Sequence, residues 1–310
     1  MALPDGVLTA PDVPRIGLGL AALGRPAYIT EGRPDDLPAR RDVDAMEART
    51  HLVLDAAWAA GVRYVDCARS YGLAERFLGS WLAAHPGRRP QVVIGSKWGY
   101  RYVGDFRMDA PVHEVKEHSV AMFDEQWLET LAALGGAPDV YLVHSATLES
   151  PALADRRLLD RLASLASSGV RVGLSTSGPL QGAAIDAART AGPYSVVQAT
   201  WNLLEPSAGP ALARAHDEGW FVVIKEALAN GRLGPGGDAA VPDDQPPDRS
   251  AIGWVLHQPF VDLVLSGAVT PEQLSSNLAA RPPAMTAERA AALAEDPEEY
   301  WAARSARPWK

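Results

Sequence analysis

Eight short apolar runs, each about the length of a strand, alternate with longer Ala- and Leu-rich amphipathic stretches from Ile16 almost to the end of this 310-residue chain. Short runs of this kind fit strands buried on both faces, and stretches of about ten residues or more that close on glycine fit helices with a left-handed C-cap. Strands are expected over 16–20, 62–66, 92–96, 140–144, 170–174, 195–199, 221–224 and 262–265. Helices are expected over 44–60, 73–84, 115–134, 153–167, 181–190, 209–218, 249–258 and 271–278, with Gly61, Gly169 and Gly219 among their stops. Parallel strands need such crossovers, and eight βα units close most simply as a barrel with its active site at the C-terminal strand ends. The fold class is therefore α/β, a single (β/α)8 TIM-type barrel domain over 1–310. Residues 282–310 are expected to form a C-terminal extension outside the barrel, with extra helices over 287–294 and 298–305.

Of the 27 glycines and 25 prolines, thirteen fall in two segments, 24–42 and 231–250, which read as long loops. The second follows the seventh strand, where barrel enzymes build phosphate sites and lids, and it reads as a flexible loop or lid. Gly17-Leu-Gly19-Leu-Ala-Ala22 satisfies a dinucleotide-binding pattern, but Gly24, Pro26, Gly32, Pro34 and Pro38 forbid the helix that pattern requires. His113 and His118, expected near the start of a helix, are spaced too far around it to share a metal as an i, i+4 pair does. A net charge of -9 argues against nucleic acid or an anionic membrane as partner. The single cysteine, Cys67, excludes an intramolecular disulfide and any multi-cysteine metal site, so no metal is expected. With no leader-like start and no long apolar span, the expectation is a cytoplasmic protein, monomeric or a small homo-oligomer.

Three of the apolar runs stop at polar residues that are costly to bury alone. They are Asp66, with Tyr71 five residues beyond it, then Lys97, then His144. Gathered on one barrel rim, these four groups make a proton-transfer site. The segment Asp66-Cys-Ala-Arg-Ser-Tyr71-Gly72-Leu-Ala-Glu75-Arg-Phe-Leu78-Gly79, followed by Lys97 and His144 at the next two strand ends, resembles the aldo-keto reductase family from about residue 14 to about 277.

That resemblance implies reduction of an aldehyde or ketone, or the reverse, with Tyr71 as general acid. Lys97 is the ammonium that lowers the phenol's pKa, Asp66 holds Lys97, and His144 orients the carbonyl oxygen. No amino-acid side chain donates hydride, so a nicotinamide coenzyme is implied. By the same resemblance Ser175 and Gln198 face its carboxamide, with Thr176 in place of the family's Asn. Ser266, Gln273 and Asn277 fall at the adenine end, and Lys225 stands where a ring commonly stacks on the nicotinamide, with a Lys225–Glu226 salt bridge at the rim as the expected alternative.

No Lys or Arg lies between Ser266 and Asn277, so Arg232 is the cation expected to reach the 2′-phosphate. NADP(H) is favoured, by less than ~100-fold, and NAD(H) is possible. Tyr28, Trp98 and Trp201 are expected to line the substrate pocket, with Trp301 and Trp309 as further candidates. The partner is a small carbonyl or alcohol. The alternatives are a nicotinamide-binding regulatory or redox-sensing subunit with little turnover, and a barrel lyase or isomerase without net hydride transfer.

Overall fold

The structure, a computed structural model, describes residues 6–29, 36–37, 40–239, 241 and 244–309. Along the chain run β1 (Ile16–Gly19), α1 (Val43–Ala59), β2 (Tyr64–Asp66), α2 (Ala74–Ala84), β3 (Val93–Trp98), β4 (Tyr100–Tyr102), β5 (Glu114–Lys116) and α3 (Val120–Leu134). Then follow β6 (Val140–Ala146), α4 (Arg156–Ser167), β7 (Arg171–Thr176), α5 (Gln181–Ala191), β8 (Val196–Thr200), α6 (Gly209–Asp217) and β9 (Phe221–Lys225). The chain closes with α7 (Pro247–Leu256), β10 (Leu263–Ser266), α8 (Pro271–Leu278), α9 (Ala287–Ala291) and α10 (Pro297–Ser305).

Eight parallel strands close in the order β1, β10, β9, β8, β7, β6, β3, β2, so the expected barrel is present. Tyr64, Val93, Val140, Leu142, Val196, Val223 and Leu263 fill its interior. Every second strand residue points the other way, into layers shared with the helices, as Val65, Ile94, Tyr141, Val197 and Val222 do. This period of two carries the inward series past the filled interior to the open rim. Asp66, Lys97, His144, Ser175, Gln198 and Lys225 are all in phase with it.

One expected helix is shorter than its apolar pattern. Residues 114–116 pair antiparallel with 100–102 as a hairpin, and α3 starts only at Val120, where the Ser119 hydroxyl accepts the Met122 N–H. His113 and His118 therefore flank a strand and lie on no helix, which corrects the placement expected from sequence. Among the described residues no three His, Cys, Asp or Glu side chains gather as a metal site. No helix of the described residues is long and apolar enough to cross a membrane.

The C-terminal helices pack on the barrel rim. Tyr300 and Trp301 are buried with Leu203, Leu204, Ala229 and Leu233. Asn202 Nδ2 donates to Tyr300 Oη at 3.2 Å, and Trp301 Nε1 donates to the buried Glu205 carboxylate at 3.3 Å. Of the segment expected as a lid, residues 240, 242 and 243 lie outside the described residues. Its first part is anchored, with Leu233 buried and Arg232 bonded to Glu295 at 2.6 and 2.8 Å and to Asp238 at 3.0 Å.

Candidate active site

At the C-terminal rim a cavity of about 1010 Å³ opens over β2, β6, β8, β9 and β10. Lys97 is fully buried at its floor, with Nζ 2.5 Å from Asp66 Oδ2 and 3.0 Å from the Cys67 carbonyl. The second Asp66 oxygen accepts from Gln198 Nε2 at 2.7 Å. A buried ammonium and carboxylate are tolerable only when each is paired and further hydrogen-bonded, and both conditions hold here.

Tyr71 lies above this pair, with the Lys97 ammonium 4.7 Å from its ring centroid and the His144 ring edge-on at 5.4 Å. The turn that delivers it depends on two glycines. Gly72 has φ near +60°, and a Cβ there would lie 2.5 Å from the Gly24 carbonyl oxygen, which accepts the Leu73 N–H.

Burial, reinforced by the Asp66 charge and opposed by Arg25, pushes the Tyr71 phenol well above its ordinary pKa. Lys97 was expected to lower it; here desolvation outweighs the nearby cations and the phenol stays protonated. Burial and the cations Lys97, Lys225 and Arg25 hold His144 well below its usual range, so the ring is neutral. Ser70 Oγ lies 3.3 Å from its Nδ1. The next residue, Ser145, has φ near +53°, and its N–H donates to Ser175 Oγ at 2.8 Å where the β6–β7 register shifts. Such a backbone costs on the order of 1–3 kcal/mol and persists because the neighbouring strand holds it.

A family model described as "Aldo/keto reductase family" matches residues 15–248. The chain belongs to that family. Eight parallel strands with extra C-terminal helices are the fold of solved aldo-keto reductases. An aldo-keto reductase from Bacillus halodurans, solved in its holo form, superposes with a TM-score of 0.70 at 22% identity, covering 92% of this chain and 93% of that one. The glycerol dehydrogenase of Gluconobacter oxydans gives 0.66 at 21% identity, with 94% and 92% covered. A Pseudomonas aeruginosa structure given the same family name gives 0.65 at 25% identity, with 90% and 93% covered. No curated protein sequence matches significantly.

Members of the aldo-keto reductase family are oxidoreductases that bind nicotinamide coenzymes, usually NADP(H), and family and fold together imply NAD(P)H-dependent carbonyl reduction. The residues on this cavity fit such a coenzyme. Gln198 Oε1 is buried without a hydrogen-bond partner, a vacant acceptor suited to a carboxamide N–H. Ser266 Oγ donates to Asn277 Oδ1 at 2.8 Å, Asn277 Nδ2 to Asp248 at 3.1 Å, and Gln273 Oε1 accepts the Val269 N–H, all along one polar end of the cavity. Ser175 is buried beneath it, occupied by the Ser145 N–H.

Several expected positions differ. Trp98 and Trp201 are out of phase with the inward series: Trp98 packs on Phe123 and His118, Trp201 on Phe260, and neither lines the cavity. Thr176 is likewise turned outward, onto Gln181. Arg232, expected to reach the 2′-phosphate, is held by Glu295 and Asp238 and does not line the cavity. Arg249 does not line the cavity either; its Nε donates to Ser276 Oγ of α8 at 3.2 Å. Tyr28, Trp301 and Trp309 do line the cavity.

Arg25 was missed. It is buried, bonded to Glu114 at 2.5 Å and to the Ser70 carbonyl, and stacked within about 5 Å of Tyr28, Tyr71 and Trp309. Glu226, in left-handed backbone next to Lys225, has its carboxylate 3.8 Å from that ammonium, the rim pair expected from sequence. Burial alone would raise its pKa, but Arg304 and Lys225 overcome burial and hold it at about 2.

Proposed function

We propose that the cavity reduces an aldehyde or ketone with NAD(P)H, or runs the reverse oxidation, with Tyr71 as the proton donor. The observation that carries this reading is the buried Asp66–Lys97 pair beneath a phenol that burial keeps protonated, on the same cavity wall as a neutral His144. When bound, the coenzyme supplies a hydride to the carbonyl carbon, and the chain's own residues manage the oxygen. With Ser70 donating to Nδ1, His144 carries its proton on Nε2 and donates to the carbonyl oxygen, orienting it toward Tyr71. Tyr71 gives up its proton as charge grows on that oxygen, and the Lys97 ammonium stabilises the phenolate left behind. Asp66 keeps Lys97 in position.

Gln198, Ser266, Gln273 and Asn277 would hold the coenzyme. A 2′-phosphate at this end would meet the lining Asp248 carboxylate as an opposing charge, with Arg249 on α7 the cation bonded to α8 beside it, so NADPH should be favoured over NADH by less than ~100-fold. Tyr28, Trp301 and Trp309 give the substrate an aromatic wall. A panel of carbonyl compounds followed at the NAD(P)H absorbance band tests the reading. Coenzyme consumption that is stoichiometric with alcohol formed is expected, and no turnover with any carbonyl while coenzyme binds tightly would contradict it.

A further inference from the structure

Two buried cations of the site are matched one to one: Lys97 by Asp66 and Arg25 by Glu114. Lys225 is not. Glu226 is claimed by Arg304 through two hydrogen bonds at 2.9 and 2.5 Å and accepts a third from Thr200, while Lys225 Nζ stands 3.8 Å away. One buried carboxylate thus serves two cations on the wall formed by β8, β9 and α10, while Glu298, the other carboxylate that α10 turns to the cavity, is exposed to solvent. Lys225 lines the cavity, with Nζ fixed by Thr200 Oγ1 at 2.7 Å and 5.8 Å from the Trp301 ring centroid.

The strands put this charge beside the vacant Gln198 acceptor. Lys225 is paired with Thr200, one inward step beyond Gln198 toward the mouth, on the strand next to it. A coenzyme whose carboxamide met Gln198 and whose reactive carbon served a carbonyl at Tyr71 and His144 would have its ring between those groups, on the side that carries Lys225. The oxidised ring carries a positive charge and the reduced ring does not. In a partly desolvated cavity an unmatched cation at this range opposes the first and leaves the second nearly untouched.

We propose that Lys225 biases the site toward reduced coenzyme, weakening the oxidised form by about tenfold relative to the reduced form. The inference rests on the coenzyme reading above. A tenfold bias raises the potential of the bound two-electron couple by about 30 mV, making bound NAD(P)H a milder hydride donor and favouring alcohol oxidation on the enzyme. Burial, partly offset by Glu226, brings the Lys225 ammonium down to about 8, with Arg304, Lys97, Asp66 and His144 the other ionisable groups facing it. The bias should therefore fade as pH rises from 7 to 9.5.

The test is a calorimetric titration of NAD+, NADH, NADP+ and NADPH into the whole protein, wild type, Lys225→Met and Lys225→Arg, at pH 7 and 9.5. The expected result is a ratio of oxidised to reduced Kd that falls about tenfold in Lys225→Met, is kept in Lys225→Arg, and falls with pH only where lysine is present. An unchanged ratio in Lys225→Met, with both forms still bound, would overturn the role of Lys225 and leave the coenzyme reading standing. Failure of every form to bind wild type would overturn both. If Lys225→Met does not fold, a pH-independent ratio in wild type is the contradicting result.

Discussion

The floor of the cavity and its C-terminal wall solve the same problem in opposite ways. Each buries charge beside a reacting centre. On the floor, Asp66 and Lys97 come from adjacent strands and neutralise one another, and Gln198 satisfies the spare oxygen. On the wall, Lys225, Glu226 and Arg304 span a strand end and a helix about eighty residues later, and their charges do not cancel. A matched pair is set by the barrel's own register; the unmatched cluster exists only when α10 has docked. The floor is therefore suited to fixed chemistry, and the wall to tuning what binds.

Removing one partner separates the two most strongly. Lys97→Met should leave Asp66 buried and uncompensated, lowering turnover by ~10²-fold or more and destabilising the fold by about 3–5 kcal/mol in denaturant unfolding. Near wild-type stability in that variant would mean the floor is not a matched pair at all. On the wall the strain shows in acid. Glu226 is held at about 2, below its ordinary value near 4.5, so its share of stability is complete above pH 4.5 and is lost as pH falls through 2. That share is about 3 kcal/mol. Comparing wild type with Glu226→Gln over pH 5 to 2 checks it, since the variant should lack that part of the acid dependence.

Much of the floor was legible beforehand because strand geometry is local. The eight apolar runs named the strands, and the polar residue ending each run named Asp66, Lys97 and His144. The same period of two should have excluded Trp98, Trp201 and Thr176, which stand one residue past inward positions Lys97, Thr200 and Ser175. Their aromatic or family character overrode a phase the sequence already contained. Of the wall only the Lys225–Glu226 pair was legible: nothing near it announces Arg304, and Arg232, the nearest cation in sequence, is consumed by Glu295. The hairpin at 100–116 was hidden because residues 115–134 continue a helical apolar pattern across Ser119, whose cap ends it.

Smaller effects sharpen the contrast. Because the Asp66 charge adds to burial in raising the Tyr71 phenol, Asp66→Asn should lower that pKa and move the basic limb of the reduction profile down, along with a fall in rate. A pH-rate series with chemistry rate-limiting would read it, and an upward shift would show that Asp66 acts on Tyr71 mainly through Lys97. At the adenine end, Arg249→Ala should cut the NADPH over NADH preference by about tenfold, whereas Arg232→Ala should leave it unchanged. Titration of both reduced coenzymes distinguishes the two, and the opposite pattern would restore Arg232 as the coenzyme cation.

Tyr71→Phe tests the central claim most directly, because it removes one oxygen from the floor and leaves the Asp66–Lys97 pair, Gln198 and the wall in place. Single-turnover reduction of the best carbonyl of the panel should slow by ~10²-fold or more, with the Kd of the reduced coenzyme within about twofold of wild type. Turnover close to wild type with intact coenzyme binding would show that the proton comes from another group, and would contradict the assignment of Tyr71 as the acid.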